Sequence, residues 1–117
     1  MNLSTTESAG VLIVHVHAKA LDAGTARDFK SSVTRLLTPG SKVVFDLAKV
    51  DFVDSTGLGM LVSCLREAQA SGGDIRLYGL TKPVRTLFEM VRMHKVFDIY
   101  STADEVVQSY TAQTQKS

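Results

Sequence analysis

The sequence predicts an α/β domain built on a mixed, mostly parallel sheet of four or five strands with about four α-helices. Three observations carry this expectation. Short apolar, β-branched runs alternate with segments whose apolar residues recur at helical spacing, an order that implies parallel strands joined by crossovers. The first clear run, residues 11–18 (VLIVHVHA), is apolar enough to be buried on both faces, as in a sheet covered by helices. At 117 residues, with 44% apolar and 21% charged, the chain suffices for one core and not for two.

Each element follows from its residues. An N-terminal edge strand is expected ahead of residues 11–18. Next comes Leu21-Asp22-Ala23-Gly24-Thr25, with Asp22 suited to cap a helix. Ala26, Phe29, Val33, Leu36 and Leu37 carry that helix until Pro39-Gly40 stops it. Residues 42–47, KVVFDL, form a second strand. Residues 50–62, VDFVDSTGLGMLV, then set an acid, two hydroxyls and two glycines between apolar runs. Leu58, Leu61, Val62, Leu65 and Ala68 line one face of the helix beyond, and Ser63, Arg66, Glu67 and Gln69 the other. Gly72-Gly73 ends it. Residues 74–80, DIRLYGL, alternate as a strand nearer the sheet edge. Pro83 suits the first position of a third helix carrying Val84, Leu87, Phe88 and Val91. Arg92, His94 and Lys95 place cations near its C-terminus. Asp98-Ile99-Tyr100 reads as a short last strand. Thr102 with Glu105 makes a capping box for a final helix carrying Val106, Val107 and Tyr110. One domain is expected over residues 1–117, with its core at about 10–110 and a frayed tail, TAQTQKS, at 111–117.

Composition removes several function classes. A net charge of +1, with basic residues scattered among acidic ones, gives no field for nucleic acid or an anionic membrane surface. No apolar run approaches the roughly 18 residues a membrane helix requires. The single cysteine, Cys64, rules out an internal disulfide framework and fits a reducing cytosol. The N-terminus, MNLSTTESAG, has neither a basic start nor an apolar h-region, so no secretory signal is expected. A free-standing cytoplasmic protein is the expectation.

In an open α/β sheet, ligands and partners meet the strand-to-helix loops at the carboxyl ends of the strands. Three such loops carry Asp22 through Thr25, Asp54-Ser55-Thr56-Gly57, and Thr81-Lys82-Pro83. Parallel strands would bring Asp22, Ser55 and Lys82 to one edge. In the middle loop, Asp54 or Ser55 can accept hydrogen bonds from the first free amides of the helix. Gly57 and Gly59 would leave backbone accessible to a second macromolecule. A helix N-terminus also tolerates an anion, so a phosphate on Ser55 would not melt its own helix. Residue types alone leave capping and modification both open, with capping the commoner use.

Phe52-Val53-Asp54-Ser55-Thr56-Gly57-Leu58-Gly59 closely resembles the signature of the STAS domain, named for sulphate transporters and anti-sigma factor antagonists. The resemblance extends along nearly the whole chain. Ala20-Leu21-Asp22 is similar to the family's Glu-Leu-Asp before the first helix, although Lys19 stands where a glycine often precedes it. Val43-Val44-Phe45-Asp46-Leu47, Gly72-Gly73 and Val84-Arg85-Thr86-Leu87-Phe88 fall where the family has similar residues. The resemblance implies a STAS-type fold and a regulatory protein, not an enzyme. It makes Ser55 the phospho-acceptor. Asp22, Asp54, Thr56, Gly57, Leu58, Gly59, Lys82 and Arg85 would form the partner-binding surface. It further implies an anti-sigma factor antagonist acting by partner switching, as a monomer or weak dimer. The partners would be an anti-sigma factor with serine-kinase activity and a metal-dependent serine phosphatase. The alternative within the family is a non-phosphorylated cytoplasmic STAS subunit of a lipid-transport ABC complex.

Other candidate sites are weaker. His15 and His17 share a strand face, but two ligands do not make a structural zinc site, so no metal or cofactor is expected. Cys64 sits beside the apolar stripe of its helix and reads as a packed side chain. Asp46, Asp51 and Asp54 invite comparison with a response-regulator receiver, yet the first clear strand ends without the acidic pair that would hold Mg²⁺. Neither a phosphate loop nor a dinucleotide fingerprint nor a nucleophile elbow is present. Ser55 has no histidine base in an adjacent loop.

Overall fold

Apolar runs flanked by turn residues become strands, and their alternation decides which side of the sheet each residue faces. The computed structural model describes residues 2–115. Its strands are β1 (Leu3–Ser8), β2 (Val11–Val16), β3 (Ala20–Leu21), β4 (Lys42–Asp46), β5 (Phe52–Val53), β6 (Asp74–Tyr78) and β7 (Ile99–Tyr100). Among the described residues there are four α-helices: α1 (Ala26–Thr34), α2 (Ser55–Ala70), α3 (Lys82–Met90) and α4 (Ala103–Gln115). A 3-10 turn, Met93–Lys95, follows α3. None of these helices is long and apolar enough to cross a membrane.

Five strands form one sheet in the order β1-β2-β4-β6-β7. Strand β1 runs antiparallel at the edge and the other four are mutually parallel. The strand of residues 74–80 is penultimate, bordered by a β7 of only two residues. Val14, Val16, Val43, Phe45, Ile75 and Leu77 point to one face and pack with residues of α1, α2 and α3. Phe29 meets Phe45 edge-on, with ring centroids 5.3 Å apart. Val11, Ile13 and Val44 point to the other face, under Val106 and Tyr110 of α4.

This second face explains Arg76, which alternation alone would set toward solvent. The residue is 3% exposed because α4 covers it. The guanidinium lies 3.9 Å from the centroid of the Tyr110 ring, and it donates to Ser109 Oγ at 2.6 Å and to Asp74 Oδ2 at 3.2 Å. A buried cation needs such partners.

Several element ends differ from expectation. Residues 17 and 18 lie beyond β2, and Pro83 is the second residue of α3, with Thr81 as its N-cap. Asp22 does not cap α1. Its carboxylate accepts from Gly24 N–H at 3.0 Å and Thr25 N–H at 3.2 Å, shaping the turn before the helix. Thr25 occupies the cap position without a side-chain cap bond. Helix α2 stops at Ala70, and the chain turns away at Gly72, whose φ of +84° is the left-handed conformation that favours glycine. The capping box is formed as expected: Thr102 N–H donates to Glu105 Oε1 and Glu105 N–H to Thr102 Oγ1, each at 3.2 Å. Helix α4 continues through residues 111–115, where a frayed tail was expected, and residues 116 and 117 lie outside the described residues.

Candidate functional site

The site begins with two segments that read as loop. Residues Ala20-Leu21 pair in parallel with Phe52-Val53, so β3 and β5 form a separate two-stranded ribbon at the carboxyl end of the main sheet. Backbone bonds extend the ribbon on both sides: Asp51 N–H donates to Lys19 O at 2.8 Å and Asp54 N–H to Leu21 O at 3.2 Å. The first and second strand-to-helix loops are thereby joined.

Asp54 ties them again. It is the N-cap of α2, with extended backbone, and its Oδ1 accepts from Gly57 N–H at 2.8 Å. Its Oδ2 accepts from Ala23 N–H, across in the first loop, at 3.1 Å. One carboxylate therefore caps the acceptor helix and fastens it to the neighbouring loop. Sequence allowed either Asp54 or Ser55 as the cap, and the carboxylate takes the role. Ser55 is thus the first residue of α2, exposed, with a hydroxyl that has no hydrogen-bond partner among the described residues. Among the described residues no side-chain base contacts it, and none of them activates it as a nucleophile.

Gly57 was expected to leave backbone open to a partner. It is buried instead, because a Cβ there would stand 2.0 Å from Leu21 O. The missing side chain lets α2 lie directly on β3. Gly59, within α2, is exposed, with open space where a Cβ would sit. Thr56 is exposed beside Ser55, and Leu58 is half-buried against the core.

The third loop reaches the same edge through Thr81, whose hydroxyl donates to Val50 O at 2.8 Å, just ahead of β5. The first turn of α3 packs against β5 and carries Lys82, exposed, and Arg85, half-buried. Neither makes a hydrogen bond or ion pair to Asp54 or Ser55 among the described residues. Asp22 stays half-buried in its own turn. Phe52 of β5, two residues before Asp54, is 55% exposed and adds an apolar side chain to the surface of the ribbon. The ribbon and the bond from the Ala23 amide had no sequence signal, since each acts through backbone groups.

The histidines belong to a different surface, on the α4 face of the sheet. His15 Nδ1 donates to Asp46 Oδ2 at 2.7 Å, and its Nε2 lies 3.0 Å from Thr6 Oγ1. His17 uses Nε2 with Ser4 Oγ at 2.7 Å and Nδ1 with Lys49 Nζ at 3.4 Å. Burial alone would raise the Asp46 carboxyl, but the Ala48 amide, His15 and Tyr78 outweigh it and hold it below the usual carboxylate value. Burial and the neighbouring Asp46 charge push the Tyr78 hydroxyl up to about 12. Among the described residues, no group of three or more His, Cys, Asp or Glu side chains is placed to hold a metal ion. Cys64, on the buried face of α2, is fully enclosed, and burial pushes its thiol up to about 12, far from a reactive thiolate.

Comparison with known proteins agrees with this architecture. The anti-sigma-B factor antagonist of Bacillus subtilis (strain 168) is 24% identical over 108 residues, which span 92% of this chain and 98% of that protein. The STAS domain protein from Planctomyces limnophilus superposes with a TM-score of 0.82 at 19% identity, covering 92% of this chain and 96% of that one. The Bacillus cell fate determinant SpoIIAA in its phosphorylated form gives a TM-score of 0.65 at 15% identity, covering 93% and 99%. The family model described as "STAS domain" matches residues 2–106, nearly the whole described chain, and the protein belongs to the STAS domain family.

Proposed function

We propose that this chain is an anti-sigma factor antagonist that works in the cytoplasm by partner switching. Unphosphorylated, it binds an anti-sigma factor with serine-kinase activity, which phosphorylates Ser55 and is thereby released. A metal-dependent serine phosphatase restores binding. The observation that carries this reading is the Ser55 hydroxyl: exposed, without a hydrogen-bond partner among the described residues, and held at the start of α2 by the two bonds of Asp54. An accessible hydroxyl with no base of its own suits a group modified by another protein's active site. The name of the Bacillus subtilis relative and the phosphorylated form of SpoIIAA support the same reading.

Phosphate at this position has a physical consequence. The amides of Ser55 and Thr56, in the first turn of α2, tolerate an anion, so the helix would persist. Dissociation then arises at the interface. A charge near −2, about 5 Å from one partner carboxylate at an effective dielectric near 40, costs roughly 3 kcal/mol, more than a hundredfold in affinity. Lys82 and Arg85, on the neighbouring helix, would offset part of it. Screening makes the loss smaller at high salt.

The test is direct. The purified chain is incubated with ATP and each serine-kinase anti-sigma factor encoded in the same genome, and its mass is measured. A gain of about 80 Da, one phosphoryl group, that peptide mapping assigns to Ser55 is expected, with no gain in Ser55→Ala. A Ser55→Ala protein that still takes one phosphate would refute the assignment. No gain with any kinase would favour the non-phosphorylated docking subunit.

A further inference from the structure

Between α1 and α2 runs an open groove of about 350 Å³. Ala26 and Met60, both nearly buried, form its floor. Arg27 and Lys30 line it from α1, Thr56 and Ser63 from α2. The groove starts at Thr56, next to Ser55, so it continues the surface that carries the proposed acceptor.

Its two cations are not equivalent. Lys30 pairs with Glu67 at 3.6 Å, and Glu67 also accepts from Thr34 Oγ1 at 2.8 Å. Those contacts hold α1 against α2 at the far end of the groove. Arg27 is exposed and, among the described residues, has neither an ion pair nor a hydrogen bond. The next residue, Asp28, is turned about 100° round the helix and so leaves the face shared by residues 27, 30, 31 and 34. An uncommitted guanidinium beside an apolar floor matches an apolar side chain with a carboxylate next to it.

We propose that the α1–α2 groove anchors the anti-sigma partner. An apolar side chain of that protein rests on Ala26 and Met60, and an adjacent carboxylate pairs with Arg27. This inference rests on the antagonist reading above and names the partner chemistry that reading requires. The carboxylate drawn to Arg27 is the group a phosphate on Ser55 repels. One surface then supplies both the attraction that forms the complex and the charge that phosphorylation turns against it.

The experiment measures affinity for the same serine-kinase anti-sigma factors, in ADP, at low and high salt. The proteins are wild type, Arg27→Gln, Arg27→Glu, Ser63→Trp and a control, Arg35→Glu, which lies on the β1 side of α1. Arg27, Ser63 and Arg35 are all exposed, so melting temperatures stay near wild type. We expect Arg27→Glu and Ser63→Trp to weaken binding by about tenfold or more, Arg27→Gln by less, and Arg35→Glu by under about twofold. The Arg27→Glu loss should be greatest at low salt. If a kinase binds wild type, Arg27→Glu and Ser63→Trp equally, the groove proposal is overturned and the antagonist reading stands. If no kinase binds wild type, the antagonist reading itself falls, and the groove assignment with it. Self-association of the chain alone that Ser63→Trp abolishes would give the groove to a second copy, overturning the assignment to the kinase. Should one variant fail to fold, the other decides.

Discussion

Replacing Asp54 by asparagine isolates what holds the acceptor helix in place. The wild-type carboxylate takes two backbone N–H groups, Gly57 at 2.8 Å and Ala23 at 3.1 Å, one on each oxygen. An amide keeps one acceptor and sets an NH₂ where the other stood, so one N–H would face a donor. Hydrogen bonds to charged groups contribute about 1.5–3 kcal/mol each. The exposed Ala23 end puts this loss toward the low end, about 2 kcal/mol in all. At about 4 °C per kcal/mol for a domain of this size, the melting temperature should fall by about 8 °C. Asp54→Ser divides the effect, because serine still caps Gly57 but is too short to reach Ala23, and should lose about 1 kcal/mol. Thermal and urea unfolding give the energies, and the amide resonances of Ala23 and Gly57 show which bond is lost. A melting temperature for Asp54→Asn within about 2 °C of wild type would refute the two-bond account. So would equal destabilisation by serine and asparagine.

Gly57→Ala should destabilise by about 3 kcal/mol or more, since its Cβ would stand 2.0 Å from Leu21 O, whereas Gly59→Ala in the same helix meets open space and should stabilise by about 0.5–1 kcal/mol. Urea titrations of the pair would show opposite signs. Asp46 is held below its usual value of 3.8, so its contribution is full above that pH and fades as pH falls below it through the folded-state value. Asp46→Asn should therefore lower stability by about 1–2 kcal/mol at pH 7, with the gap to wild type closing below about pH 4 in acid titrations. Tyr110→Phe keeps the ring beneath Arg76 but removes the hydroxyl that donates to Val43 O at 2.8 Å. It should cost about 1–2 kcal/mol in the same unfolding assay.

What sequence could and could not reveal divides along physical lines. Periodicity exposes elements that bury a face, so β2, β4, β6 and all four helices were legible, as was the Thr102–Glu105 box. The acid, hydroxyl and glycines of residues 54–59 announced the acceptor loop through residue type alone. Strands β3 and β5 were not legible, because two residues carry no period and their pairing joins segments about thirty positions apart. The role of Gly57 was misread for the same reason: the atom that excludes a side chain, Leu21 O, comes from that distant partner. The burial of Arg76 had no sequence signal, because it depends on α4, which comes from about thirty positions further along and covers that face of β6.

The ribbon of β3 and β5 changes what the start of α2 can do. A helix end normally frays, its first turn opening and closing at little cost. Here that motion would break both bonds of Asp54, lift Gly57 from Leu21 and part the two short strands in one event. The first turn is therefore cooperative with its neighbours, and its slow-exchanging amides should include Gly57 and Ala23 although both sit beside an exposed loop. A partner meets Ser55 already in one geometry and has little conformational entropy to remove on binding.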